Sequence, residues 1–183
     1  MTGCFSCLRR FGRDVAGSAA VETVLIMPVA ILVMVAAMEA GNYLYSEHQV
    51  TKAVRDAARY AARALPLGIC SAESPEADVP TPGTSGSVWS NAANVAVYGS
   101  VATGTAKRLW TWTTATTDIS IRYSCVTPPC GSTESCGIYE STRFAPKVVV
   151  VGKPAYPSLF GTMVGLTNSY RLYARQEAAG VGI

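Results

Sequence analysis

The chain is short of the residues that most catalysis requires. Its 183 residues include one histidine, His48, and only twelve acidic residues. Acid–base sites are hard to assemble from that stock. There is no Gly-x-Ser-x-Gly elbow, no Gly-x-x-x-x-Gly-Lys phosphate loop and no His-Glu-x-x-His pair. An enzyme is therefore not expected, and neither is a cofactor or a resident metal. Charge is also sparse, at 15% of residues. Beyond the head Arg9, Arg10 and Arg13, the nearest basic cluster is Arg55, Arg59 and Arg63. That pattern does not describe a nucleic-acid surface, and a solvated helix face is its plain meaning. No internal repeat is visible, and the length suits one anchor with one modest domain.

Against this sparseness stands one long apolar run. From Ser18 to Met38 the only charge is Glu22, and 21 helical residues cross a hydrocarbon core of about 30 Å. A secretory signal peptide would have a shorter apolar core with a small-x-small exit after it. Here the helical pattern continues instead. The basic head has no match just beyond Met38, where Glu39 and Glu47 come first, so the N-terminus is expected in the cytoplasm and the bulk of the chain outside. Glu39 reads as an outer-interface residue. A carboxylate as deep as Glu22 costs about 2–3 kcal/mol on insertion scales and is usually retained for a partner. The alternative is a polar residue near the headgroups of an ordinary anchor.

Residues 1–17 read as a basic leader. A single helix is expected over 18–64, with its membrane part over about 18–38 and Pro28 kinking it. Past Gly41 the helix turns amphipathic. Ala53, Val54, Ala57, Ala58, Ala61, Ala62 and Leu65 recur at the spacing of one face, with Lys52, Arg55, Asp56, Arg59 and Arg63 opposite. That alanine face admits close backbone approach and is expected to pack on the protein's own exterior domain. Pro66 and Gly68 end the helix. Residues 65–183 form the exterior domain in this reading. A Ser/Pro/Gly/Thr-rich loop runs over 71–90 and a short helix over 91–106. Strands are expected at 119–123, 147–151 and 169–175, with a cysteine-bearing loop over 125–141. The fold class is thus α+β, a long N-terminal helix with a small antiparallel sheet.

Six cysteines divide by compartment. Cys4 and Cys7 fall in the leader and read as incidental. Cys70, Cys125, Cys130 and Cys136 are exterior and even in number, so two disulfides are expected, with three connectivities open. The spacings Cys125–Cys130 and Cys130–Cys136 allow a local bridge, and a four-thiolate zinc site is the sharper alternative. Trp89, Trp110 and Trp112 lie in or near a Thr-rich stretch. They could form an exposed contact patch, although sheet core is the commoner fate of such residues.

Three stretches together suggest a family. Arg13-Asp-x-x-Gly-Ser-Ala-Ala-Val-Glu22, Val35-Ala-Ala-Met-Glu-Ala-Gly41 and Ala57-Ala-Arg-Tyr-Ala-Ala-Arg63 resemble the TadE-like proteins of the tight-adherence (Tad/Flp) pilus. The resemblance is specific over residues 9–65 and looser beyond. It implies a pseudopilin or minor pilin cut by a prepilin peptidase after Gly17. Ser18 would become the new N-terminus and Glu22 mature position five. The freed amine of one subunit would neutralise Glu22 of a neighbour and fix register. Implied partners are that peptidase, other pilin subunits, the inner-membrane assembly platform and the lipid bilayer. Two other classes remain open: an unprocessed periplasmic scaffold on a permanent anchor, and an adhesin-like surface-binding module.

Overall fold

The computed structural model describes residues 16–79, 87–104, 106–128, 137–139, 144–161 and 170–181. The chain divides into two compact units, Met1–Gly41 and Asn42–Ile183. Helix α1, Ala16–Ala64, contributes to both and continues through Pro28.

In the first unit the helix is apolar on every side. Its most apolar 18-residue window has a mean hydropathy of 2.4 and no burial. A helix hydrophobic all round needs an apolar environment, and this one is compatible with single-pass membrane anchoring. The polar groups it carries are few. The hydroxyl of Thr23 donates to the Ala19 carbonyl at 2.8 Å, which satisfies it within the helix.

The second unit is a four-stranded antiparallel sheet in the order β1-β2-β3-β4. The strands are β1 Ser74–Asp78, β2 Ile119–Val126, β3 Ala145–Gly152 and β4 Ala174–Ala179. A second helix, α2, runs over Val88–Tyr98. The fold class is α+β. Ile119 and Ile121 of β2, Val148 and Val150 of β3 and Ala174 of β4 form one buried cluster. It includes Val50, Ala53, Val54, Ala57, Ala58 and Ala61 of α1, Leu65 just past its end, and Ala92, Ala93, Ala96 and Val97 of α2. Alternation in the strands puts these residues on one face. The helices cover that face, and Ser120, Arg122, Lys147, Arg175 and Glu177 fall on the other.

The elements differ from the sequence expectation in three places. The helix expected over 91–106 starts at Val88, because Ser87 caps it by accepting from the Ser90 amide at 3.1 Å. It stops at Tyr98, because Gly99 adopts a left-handed conformation (φ 77°) whose amide donates to the Val95 carbonyl. Strand β1 lies inside the expected loop 71–90. Its sequence, Ser-Pro-Glu-Ala-Asp, has low strand propensity and is tolerated at an exposed edge. The last strand is assigned at 174–179 rather than 169–175. The pairing of β3 with β4 nevertheless continues outward in register. Gly152 faces Ala174, Ala155 bridges Arg171, and the Tyr156 amide donates to the Tyr170 carbonyl at 2.8 Å. Between them Pro154 has no N–H to give, which interrupts the ladder without ending the hairpin.

Candidate assembly surface

The residues read from sequence as the processing and pairing site begin the helix. Gly17 and Ser18 lie in its first turn, and their side chains fall outside the described residues. Glu22 follows Ser18 by four residues, about 6 Å of helical rise. Glu22 is exposed, as are its apolar neighbours Val21, Val24, Leu25 and Ile26, which show 58–70% of their surface. The Ser18 backbone and the Glu22 carboxylate therefore stand one helical turn apart at the start of an apolar, uncovered helix. Residues 1–15, with the basic head and Cys4 and Cys7, lie outside the described residues.

The second half of α1 is covered instead. Ala53, Ala57, Ala58 and Ala61 are fully buried, and Ala62 is nearly so. Arg55, Arg59, Arg63 and His48 stand on the exposed side. Asp56 departs from its exposed neighbours, because its Oδ2 accepts from Arg108 Nη2 at 2.8 Å. The Tyr60 hydroxyl accepts from the Asn91 side chain at 3.2 Å, so α2 is tied to α1 by a polar contact as well as by alanine packing. The C-terminal segment closes the far end, where the Val181 amide donates to the Ala62 carbonyl at 2.9 Å.

Cys70, just past the helix, is bonded to Cys125 in β2 across 55 residues, with Cα atoms 5.6 Å apart. This pairing removes the local Cys125–Cys130 bridge and the four-thiolate zinc site, since two of the four sulfurs are oxidised. Cys130 and Cys136 lie outside the described residues. The tryptophan patch does not form. Trp112 is fully buried and Trp89 nearly so, whereas Trp110 is 71% exposed. Two of the three serve the core of a sheet packed on helices.

The exposed face of the sheet carries an ion-pair network. Arg175 Nη2 meets Glu177 at 2.8 Å within β4 and Glu76 of β1 at 2.9 Å. Lys147 lies 3.5 Å from Glu177, and Arg122 lies 3.3 Å from Asp78. The Arg175–Glu76 contact spans the two edge strands. The Arg175 hydrogen bond holds the Glu177 carboxyl below its ordinary range, against a smaller opposing effect of burial and with help from Lys147.

Beside the network, at the start of β2, Asp118 is buried. Burial pushes its pKa up, but hydrogen bonds from Thr113 and Arg171 together outweigh this and hold it below the ordinary value. Its Oδ2 accepts from the Thr113 hydroxyl at 2.5 Å and the Thr113 amide at 3.2 Å, and its Oδ1 accepts from Arg171 Nη1 at 2.9 Å. Arg171 also donates to the Lys153 carbonyl at 2.8 Å. These contacts fix a turn and join it to the strand segment before β4. A groove of about 480 Å³ runs past Asp118, Lys153, Tyr173 and Arg175. Its acidic groups, Glu76, Asp78 and Asp118, are matched by Arg122, Lys153 and Arg175, so its lining carries no net formal charge. Sequence reading missed Asp118 and Arg108, because both act through partners about 50 residues away.

The segment of α1 that carries the junction, Glu22 and the alanine face is the segment that matches known proteins. Residues 17–59 fit the family model of TadE-like proteins. The chain carries a TadE-like segment. It begins at Gly17, spans the exposed apolar helix and reaches into the buried alanine face. No curated protein and no solved structure matches the chain. The TadE-like likeness thus rests on the N-terminal helix, and most of the sheet unit lies beyond it.

Proposed function

We propose that this protein is a pseudopilin or minor pilin of a Tad/Flp-type pilus, with a structural rather than a catalytic role. The observation that carries the reading is the TadE-like match over residues 17–59, on a helix uncovered in its first half and packed in its second. A prepilin peptidase cuts after Gly17. The freed Ser18 amine of one subunit then neutralises the Glu22 carboxylate of another. An unpaired charge in hydrocarbon is expensive and a paired one is tolerable, so cleavage makes the cation that favours assembly.

The leader is cytoplasmic and the anchor spans the inner membrane over about 18–38. Residues 65–183 are periplasmic in this reading. The Cys70–Cys125 disulfide supports that side, because such bonds persist in oxidising compartments. Once exterior, Cys130 and Cys136 form the second bridge. The alanine face 53–62 holds the exterior domain to the helix, which leaves the membrane half for other pilin subunits and the assembly platform.

The deciding experiment is the intact mass and N-terminal sequence of the protein from its native membrane. Ser18 at the start is the expected result. A retained leader in the presence of active peptidase overturns processing and leaves a membrane-anchored scaffold.

A further inference from the structure

The two edges of the four-stranded sheet are built differently. Strand β1 carries Pro75 and breaks register between Ser74 and Ala77, and both features blunt an edge against further pairing. Its charges, Glu76 and Asp78, have one sign. Strand β4 has no proline, and its pairing with β3 keeps one register from Lys147–Ala179 to Gly152–Ala174. The Gly180 amide donates to the Pro146 carbonyl at 2.6 Å and the Leu172 amide to the Pro154 carbonyl at 3.0 Å, which extends that register at both ends. Backbone groups alternate sides along a strand, so the residues of even number bond β3. Tyr173, Arg175, Glu177 and Ala179 therefore turn their N–H and C=O groups to the free edge, and all four are exposed. Among the described residues those groups meet only a 3.5 Å contact, from the Gln176 side chain to the Glu177 carbonyl. Val181, next in this set, gives its amide to Ala62 and closes the edge beyond Ala179.

We propose that this edge pairs antiparallel with β4 of a second copy, about a two-fold axis at Gln176. Outward-facing residues must meet outward-facing residues for the ladder to close, so the axis falls on a residue and not between two. An axis on Arg175 or Glu177 sets like charges against each other, which is destabilising. One on Ala174 or Ala178 moves most of the pairing off the regular strand. An axis on Gln176 sets Arg175 opposite Glu177 of the second copy, and Glu177 opposite its Arg175. Within one chain Arg175 and Glu177 already meet at 2.8 Å, so the paired strands carry four charges alternating in sign in both directions. A second copy presents this alternation by symmetry, whereas another partner would have to match it. The contact lies within the sheet unit and does not depend on the anchor.

Residues 173–179 supply about eight hydrogen bonds across such an axis, two at each outward-facing pair. Tyr173 then faces Ala179 of the second copy. On the other side of the strand Ala174 faces Ala178, which asks for little room, and the two Gln176 side chains meet at the axis, where one amide can donate to the other. An edge of this length makes a small interface, and small interfaces form and part readily.

The test places Gln176→Cys in the full chain, in detergent micelles under mild oxidation. Residues facing each other at a non-hydrogen-bonded pair have Cα atoms about 4.5 Å apart, within disulfide range. Ala179→Cys is the control, because its two copies stand about 20 Å apart in this register. Mass spectrometry of the linked peptides separates a new bridge from those of the native cysteines. The expected result is a disulfide joining position 176 of two copies and none joining position 179. In the Gln176→Cys background, Arg175→Glu or Glu177→Arg alone sets like charges across the axis, and each should lower the yield at least about fourfold. Mixing these two variants sets opposite charges across it again, so mixed dimers should cross-link as the parent does, which also shows that both variants are folded. No disulfide at 176, equal yields at 176 and 179, yields that ignore the charge changes, or no recovery on mixing each overturn the pairing of β4 with itself.

Discussion

Gly152 ends β3 where the sheet comes close to α1. A Cβ at this position would lie 2.7 Å from Val54 Cγ2, 3.0 Å from Trp112 Cζ2 and 3.4 Å from Trp112 Cη2. Both neighbours are fully buried and neither has a flexible end to move aside. Replacing glycine by alanine in a strand ordinarily gains about 0.5–1 kcal/mol, while overpacking a close-packed core costs about 1–3 kcal/mol. The clash wins, and Gly152→Ala is expected to lose about 1–2 kcal/mol, a factor of roughly 5–30 in the folding equilibrium. Val54→Ala removes the atom in tightest contact and alone costs about 1–3 kcal/mol through the cavity it leaves. The two changes together should cost less than their sum by at least about 0.5 kcal/mol, as expected for residues that touch. Urea midpoints of the full chain in detergent micelles, followed by tryptophan fluorescence, measure all four corners of the cycle. A neutral Gly152→Ala, or strictly additive losses, would refute the close approach of helix and sheet.

Three further outcomes are expected. Glu22→Ala should be cut normally but recovered poorly in assembled fibres, as measured by N-terminal sequencing beside a fibre preparation; wild-type fibre yield would sink the pairing mechanism. Removing the disulfide with Cys70→Ala and Cys125→Ala frees a 55-residue separation. The chain-entropy model gives about 4 kcal/mol as the upper loss, readable as a urea midpoint below that of the oxidised wild type. Asp118 has a depressed folded-state pKa, so the stability it supplies is present above its unfolded pKa of about 3.9 and is lost as pH falls through the folded value. Asp118→Asn should cost about 2 kcal/mol at neutral pH and flatten the acid limb of the stability curve; an unchanged acid limb would remove Asp118 from the account.

Legibility in the sequence followed the strength of local periodicity. The span from Ser18 to Ala64 was readable because its apolar run and its alanine face both have the helical period. The β-branched run Val148–Val151 could hardly be anything but a buried strand. Strand β1 was hidden because an exposed edge strand needs no apolar alternation, and Ser-Pro-Glu-Ala-Asp has none. Strand β4 was half visible. The alternating stretch before Ala174 is extended and in register, but Pro154 on the facing segment breaks the ladder there, and no inspection of residues 169–175 could reveal that. The Asp118 site was illegible, because a single aspartate in a Thr-rich turn gains its role only when Arg171 arrives from another part of the chain. Of the four exterior cysteines, spacing gave the even number but not the Cys70–Cys125 pairing, which depends on where β2 lies relative to the helix end.

The seating of α1 on the sheet unit also determines how the protein bears force. The helix is buried at intervals from Ser46 to Ala62, about 24 Å of its axis. Tension applied along the axis, as when a subunit is drawn lengthwise out of a bilayer, loads those contacts in parallel instead of peeling them one after another. The Cys70–Cys125 bond lies just beyond the last of them and limits how far the helix can slip before a covalent tether takes the strain. Pulled by its helix, the unit would follow it as one body.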